Sequence, residues 1–512
     1  DLDRAIQNFD QAIKLNPAYA AVYHERGMAY YEIYDYDHAI ADFDQIVKIR
    51  SQYVVAVNAR GSVADLQRGY ERSVTDISPQ FALNPVFALA FNDRGIAFVA
   101  KGDLDRGIAD FDQAININAT FATAFHNRGN AFGEKGDIDR AIREYDQAIK
   151  INPRGAQVYY DRGVSYYSQR KYDQAIADFD QVVRIDPKDA LAYYNRGIAY
   201  YGRNDFDKAI ADLDRAIGLD PKISLAFHNR GNSYARKRDF DRAIEDLDQA
   251  IKIDAKYAVS FNDRGLAFGA KGQIDRAIAD FDQAVKLDAK FAPAFTNRGV
   301  AFATKGQTDR AIADFDVAIK LNPSYAVAFY NRANDYYDKA DYDKAIADFD
   351  QAIKLNPNDA SAFHNRGGAY SNKHDYDRAI ADLSQSIKLN ANNALVFNDR
   401  GTSYAAKGEL DRAIADLDQA IKLEPKNAFS HYNRGLAYRN KGETDRAIAN
   451  YDQAIKLNAN YTVALFARGD AYESKRDFDK TISDLDQAIK LNPNYTLAYY
   501  GRAIAYGSKG NF

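Results

Sequence analysis

Apolar and polar positions follow a helical period along the whole chain. In residues 191–224, Tyr193, Gly197 and Tyr200 stand at i, i+4 and i+7, the spacing of one helix face. A second apolar stripe with helical spacing runs through residues 207–219. The pattern therefore predicts two short helices in this segment.

The two predicted helices are separated and ended by residues that break helices. Asn204-Asp205 lies between them and is typical of a turn with a helix N-cap. Pro221 stands just past the second stripe, where a proline stops a helix. Each segment is thus predicted to be a helical hairpin. Hairpins this small cannot bury their apolar faces alone, so they must stack on their neighbours.

The same pattern returns at a fixed interval. An arginine recurs every 34 residues, from Arg26 through Arg60 and Arg94 to Arg502, without insertion or deletion. The period predicts an all-α fold, an α-solenoid or superhelix of about 15 stacked helix-turn-helix hairpins. We expect residues 1–512 to form a single solenoid that starts at a second helix and ends after a first helix.

At this period the pattern resembles the tetratricopeptide repeat. In one unit the resemblance is carried by Tyr193, Gly197, Tyr200, Ala209, Leu213 and Pro221. The residues at the same position of every unit form a column, and these columns carry the resemblance in the other units. Two columns depart from the family: Phe or Tyr replaces the usual tryptophan, and the repeating arginine replaces the usual leucine. The resemblance implies a non-catalytic scaffold that binds a peptide or protein partner in a concave groove lined by the first helices.

Two columns make specific packing predictions. Gly197 and Ala209 are small, which indicates that the two helices of a hairpin cross closely there. Arg196 should lie at the edge of this interface, where an unpaired guanidinium is costly. We expect a carboxylate partner from the columns of Asp212 or Asp214. The alternative is that the arginines bind an anionic ligand.

Composition narrows the classes of partner. The chain has 68 basic and 72 acidic residues and a net charge of −4, so it lacks the basic surface of a nucleic-acid binder. No apolar run reaches the length of a membrane span. The sequence has no cysteine, and the compartment stays open, with a soluble cytoplasmic protein slightly favoured and export not excluded.

Candidate groove residues occupy the two positions before each arginine. A carboxamide can donate and accept at once, so a row of them can hold a peptide backbone. The alternative is that these side chains pair with the arginines or cap local backbone. The candidates are Asn127, Asn195, Asn229, Asn297, Asn331, Asn365 and Asn433, with His126, Tyr194, His228, Tyr330 and His364 beside them.

The histidines of this row do not predict a metal site. His126 and His228 are three repeats apart, and helices stack at roughly 8–10 Å, whereas zinc requires ligands at roughly 2 Å. No phosphate-binding loop or nucleophile motif is present. We therefore predict no cofactor, no metal and no catalytic residue.

One unit, around residues 54–86, breaks the pattern. Its aromatic column holds Ala64, its small columns hold Ser73 and Gln80, and Pro79 falls within a predicted helix. An interior proline predicts a kink or a broken helix. The unit is either a hinge or docking point, or a decayed repeat.

Two further interpretations concern the chain as a whole. Neither end carries the polar capping helix that solenoids need, which favours either truncation of a longer array or head-to-tail stacking into a filament. The chain could also be the sensor arm of a larger multidomain protein.

Overall fold

The computed structural model describes residues 2–60 and 79–510, and every regular element in these ranges is an α-helix. The predicted all-α solenoid of helical hairpins is confirmed. Among the described helices, none is both long enough and apolar enough to cross a membrane. The chain divides into two compact units, Asp1–Lys256 and Tyr257–Phe512.

The first unit contains thirteen described helices. Their bounds are α1 Leu2–Leu15, α2 Ala20–Glu32, α3 Tyr36–Arg60, α4 Pro79–Ala100, α5 Leu104–Ile117, α6 Ala122–Glu134, α7 Ile138–Ile151, α8 Ala156–Ser168, α9 Tyr172–Ile185, α10 Ala190–Gly202, α11 Phe206–Leu219, α12 Ser224–Arg236 and α13 Phe240–Ile253.

The second unit contains fifteen described helices. Their bounds are α14 Ala258–Ala270, α15 Ile274–Leu287, α16 Ala292–Thr304, α17 Thr308–Leu321, α18 Ala326–Asp338, α19 Tyr342–Leu355, α20 Ala360–Asn372, α21 Tyr376–Leu389, α22 Ala394–Ala406, α23 Leu410–Leu423, α24 Ala428–Asn440, α25 Thr444–Leu457, α26 Thr462–Ser474, α27 Phe478–Leu491 and α28 Thr496–Ser508.

The hairpin of α10 and α11 shows how the sequence sets the helix ends. Asn204 takes the left-handed conformation (φ 64°), which asparagine tolerates and a tight turn requires. The carboxylate of Asp205 then accepts a hydrogen bond from the Lys208 amide and caps α11. The helix ends at Leu219, two residues before Pro221. The predicted turn, cap and stop are all confirmed.

The two helices of this hairpin cross at small residues, as predicted. A Cβ atom added to Gly197 would lie 2.9 Å from Leu213 Cγ and 3.4 Å from the Ala209 carbonyl oxygen. Leu213 and Ala216 are fully buried and pack against Ala226 of the next first helix. Each hairpin therefore completes its core with its neighbour.

Two neighbouring helices are longer than the others. Most of the helices have 13 or 14 residues, whereas α3 has 25 and α4 has 22. The described part of α4 begins at Pro79, a position that suits proline when it is the first of a helix. Ala64 and Ser73 lie outside the described residues, as does all of 61–78, so the predicted kink stays a prediction.

The close crossing gives a stability prediction with an internal control. A Cβ atom at Gly435 would lie 2.5 Å from Cε1 of Tyr451, a fully buried ring. Gly435→Ala should therefore lower the free energy of unfolding by about 1–3 kcal/mol through overpacking. Gly218 lies within α11 with nothing within 4 Å of its added Cβ.

Gly218→Ala should instead raise stability by about 0.4–1 kcal/mol, because alanine costs less backbone entropy in a helix. Chemical unfolding of both variants checks the pair. Equal effects of the two substitutions would contradict the close crossing.

Candidate functional site

Each repeating arginine joins two hairpins through carboxylates. Arg196 donates from Nε and one terminal nitrogen to the two oxygens of Asp212 in its own hairpin, at 2.7 and 2.6 Å. Its other terminal nitrogen donates to Asp180 of the preceding hairpin at 2.7 Å. Asp180 belongs to the column of Asp214, so both predicted columns are used and the carboxylate pairing is confirmed.

The bonds to Asp212 raise the pKa of Arg196 further above its ordinary value, so its charge is fixed. The arrangement tolerates related acceptors elsewhere in the chain. Among the described repeats, three use a different acceptor: Arg128 bonds Glu144, Arg400 bonds Ser384, and Arg434 bonds Asn450. The arginines act as internal fasteners between hairpins.

A second set of ion pairs joins successive hairpins at their turns. The ammonium of Lys135 lies 2.5 Å from Asp105 in the first turn of the preceding second helix. Lys339 and Asp309 repeat this pair at 2.7 Å in the other unit. These pairs are largely exposed, so each contributes at most about 1 kcal/mol. They recur at the same sequence separation of 30 residues in both units.

The predicted asparagine row forms side-chain bonds between adjacent repeats. Asn195 donates to the hydroxyl of Tyr160 at 2.7 Å and to the carbonyl of Leu191 at 2.9 Å. Asn229 makes the same two kinds of bond, to Tyr194 at 3.3 Å and to Leu225 at 2.8 Å. Asn195 and Asn229 therefore bond local backbone and link adjacent repeats rather than pairing with an arginine.

Each of the other predicted asparagines bonds either its own helix or the preceding repeat. Their acceptors are Asn92 for Asn127, Asn262 for Asn297, the Val327 carbonyl for Asn331, Tyr330 and Asn334 for Asn365, and Asn398 for Asn433. Asn433 is itself buried.

The histidines of the row are paired with aspartates or asparagine. His126 lies 2.6 Å from Asp161 and His364 lies 2.8 Å from Asp399, each one repeat further along the chain. His228 is buried and lies 3.1 Å from the Asn232 amide. His126 and His364 are thus each followed one repeat later by an aspartate, and the tyrosines Tyr160, Tyr194 and Tyr330 by an asparagine.

Sequence reasoning missed an exposed apolar column beside this row. It occupies the second residue of many first helices, where a side chain has few neighbours. Leu191 is 51% exposed and Phe429 is 45% exposed. Its exposed members are Leu89, Leu191, Leu225, Val327, Leu395, Phe429, Val463 and Leu497. The 34-residue recurrence of an apolar residue at this position was the signal that could have found it.

The apolar column and the polar row share one helix face. Leu191, Asn195 and Ile198 stand at i, i+4 and i+7, so they lie along one side of α10. The third of these columns is also exposed and apolar at Val164 and Val300. We call this side of the first helices the first-helix face. It consists of a hydrogen-bonded polar row with an apolar stripe on either side.

Models of the tetratricopeptide repeat match residues 126–190 and 262–326. Further models of the same repeat match 1–33, 20–53, 95–136, 165–226, 224–257, 326–359, 349–381, 401–442, 428–461 and 463–495. The chain belongs to the tetratricopeptide repeat family. Its repeats form a protein–protein interaction scaffold.

Several solved structures are similar to this tetratricopeptide repeat chain. The anaphase-promoting complex hetero-tetramer Cut9–Hcn1 is 15% identical over 98% of this chain and 93% of that one, with a TM-score of 0.44. Yeast Tom70 is 16% identical over 83% and 96%, with a TM-score of 0.35. YrrB, described as having an unusual peptide-binding site, is 23% identical over 36% and 95%, with a TM-score of 0.31. No curated protein matches the sequence significantly.

One tetratricopeptide repeat carries a carboxylate where other described repeats have alanine or serine. Asp335 in α18 stands in the column of Ala301 and Ala369, and only 6% of its surface is exposed. Its Oδ2 atom makes no hydrogen bond to any described residue. Burial, with a smaller contribution from Asp338, raises the pKa of Asp335 to about 6. The nearby Lys339 offsets only part of this rise.

Proposed function

We propose that the chain holds a peptide or protein segment against its first-helix face. The observation that supports this is the exposed apolar column that recurs along the described first helices. Exposed apolar residues gathered in one place mark interaction surfaces in soluble proteins. Each compact unit carries its own stretch of the face: Leu191 and Leu225 in the first, Val327, Leu395, Phe429, Val463 and Leu497 in the second.

The bonded polar row supports a preorganised surface. Because Asn195 and Asn229 are already held by the neighbouring repeat, their side chains lose little freedom when a ligand arrives. Binding then depends on the apolar stripes on either side. His228 and Asn433 are buried, so they offer little surface to a ligand.

The stacking of the repeats suggests what the partner looks like. Packed helices are spaced at roughly 8–10 Å, and an extended chain advances by roughly 3.3 Å per residue. A partner segment with an apolar side chain at about every third residue would reach one apolar position per repeat. We therefore expect an extended segment with spaced apolar side chains, in which polar residues between them face the asparagine row.

The test compares two double variants with the same change of charge. Leu191→Glu/Leu225→Glu places carboxylates on the first-helix face of α10 and α12. Ile185→Glu/Ile253→Glu places them at exposed apolar positions near the ends of the second helices α9 and α13. All four residues are exposed, so neither variant should change the melting temperature much.

Partners captured by the intact chain are identified by mass spectrometry and their affinities measured with each variant. We expect the first variant to lose binding and the second to keep it. If both variants bind as tightly as the intact chain, or if only the second loses binding, the first-helix face is not the binding surface.

A further inference from the structure

Three kinds of contact join described hairpins that stack on one another, each at its own sequence separation, and the third forms only where the polar row carries a histidine. These are the arginine to the aspartate of the preceding hairpin, the lysine to the aspartate at the turn, and the histidine to the aspartate of the polar row. The hairpins between α5 and α8 give one example of each: Arg128–Asp112 at 16 residues, Lys135–Asp105 at 30 and His126–Asp161 at 35.

The same three contacts join the hairpin α2–α3 to the hairpin α4–α5, and each separation is 34 residues longer. The pairs are Arg94–Asp44 at 50 residues, Lys101–Asp37 at 64 and His24–Asp93 at 69. The first is 2.6 Å long and the third 2.7 Å. Three different chemical pairs therefore place these two hairpins as direct neighbours, although one whole repeat period lies between them in the sequence.

The apolar core continues across the same junction. Phe87 and Ala90 of α4 belong to one cluster with Phe43 and Ile46 of α3. Phe43, Ile46 and Ala90 are fully buried, and Phe87 is almost so. Side chains packed to this extent leave no room for another pair of helices between α3 and α4.

The chemistry of the polar row independently identifies the neighbour. His126 and His364 both bond an aspartate in the next stacked repeat. For His24, the acceptor position in the next repeat of the sequence is Ala59, whose side chain cannot accept a hydrogen bond. The same position one repeat further along is Asp93. His24 bonds Asp93, and this bond raises the pKa of its imidazole.

We propose that the hairpins α2–α3 and α4–α5 form an ordinary interface of the solenoid, so that one repeat length of sequence, residues 50–83, stands between two hairpins that stack directly on each other. The sequence at the end of this interval agrees. Residues 83–85 read Leu-Asn-Pro, the sequence that ends ordinary units, as at 321–323. Removing residues 50–83 would join Ile49 to Asn84 and recreate the Ile-Asn-Pro turn found at 151–153.

Thiol cross-linking in the full chain tests whether the two hairpins stack directly. The sequence has no cysteine of its own, so only introduced cysteines react. Asp37→Cys/Lys101→Cys probes the junction, and Asp105→Cys/Lys135→Cys is the matched pair at an ordinary interface. A short bifunctional maleimide is applied to dilute native protein, and cross-linked monomer is separated by electrophoresis. The chain lacking residues 50–83, with the first cysteine pair, shows the yield when the two hairpins must be adjacent.

We expect the junction pair to react in the full chain to the same extent as in the shortened chain and as the matched pair. A stacked hairpin between α3 and α4 would add one repeat of the stack, roughly 8–10 Å, between the two thiols. A full chain in which the junction pair stays unreacted while the matched pair reacts would overturn the proposal.

Discussion

Asp335→Ala is expected to stabilise the second unit by about 2–3 kcal/mol at pH 7.5. The physical reason is the cost of a buried carboxylate, whose pKa lies at about 6 in the folded chain and at about 3.9 in an unfolded one. A difference of about two pKa units corresponds to about 2–3 kcal/mol. Alanine already occupies this column, fully buried, at Ala369, so it fits without a cavity.

The gain should depend on pH in a defined direction. Below about pH 4 the carboxyl group is protonated in both states, and Asp335 has no electrostatic cost. Between about pH 4 and 6 the unfolded chain ionises first, so ionisation favours unfolding. Above about pH 6 the cost is fully present. The stability difference between Asp335→Ala and the parent should therefore grow from about pH 4 to about pH 6 and stay constant above it.

The reverse substitution one repeat later is the matched control. Ala369→Asp should lower stability at pH 7.5 and make it fall as the pH rises from about 4 to 6. Chemical unfolding across this range, with each variant compared with the parent, measures both effects. A destabilised Asp335→Ala chain at pH 7.5 would show that the buried carboxylate does not lower the stability of the folded chain.

The sequence predicted most of the hairpin because its signals are local. The Asn204-Asp205 turn, the stop before Pro221 and the Gly197 crossing each depend on residues a few positions apart. The need for a carboxylate beside Arg196 also followed from the cost of burying a guanidinium. That one arginine takes acceptors from two hairpins could not be read from one repeat, because it depends on how repeats stack.

The candidate site was predicted less well for the same reason. The asparagine row was found, but its bonds from Asn195 to Tyr160 or from Asn433 to Asn398 connect residues 35 positions apart. Which helix packs on which is also invisible to periodicity, since any amphipathic hairpin could be the neighbour of any other. The contact of Asp44 with Arg94 is an example. Exposure of Leu191 likewise depends on the stacked arrangement.

The largest loss of stability is expected where the arginine fastener is broken. Arg196→Leu removes three hydrogen bonds and leaves Asp212, which is only 7% exposed, without its guanidinium. An uncompensated buried charge costs about 3–5 kcal/mol. Asp180 is half-exposed and can turn to water, so the cost arises mainly from Asp212.

The double variant Arg196→Leu/Asp212→Leu separates the charge from the packing. Replacing a buried ion pair by apolar side chains of similar volume is often neutral, so the second substitution should recover most of the stability that the first removes. Hydrogen exchange of α10 and α11, together with chemical unfolding, follows both variants. If Arg196→Leu is as stable as the parent, Asp212 is solvated and its pair with Arg196 contributes little to stability. If the double variant stays as unstable as the single one, shape rather than charge makes the arginine necessary at the crossing of the two helices.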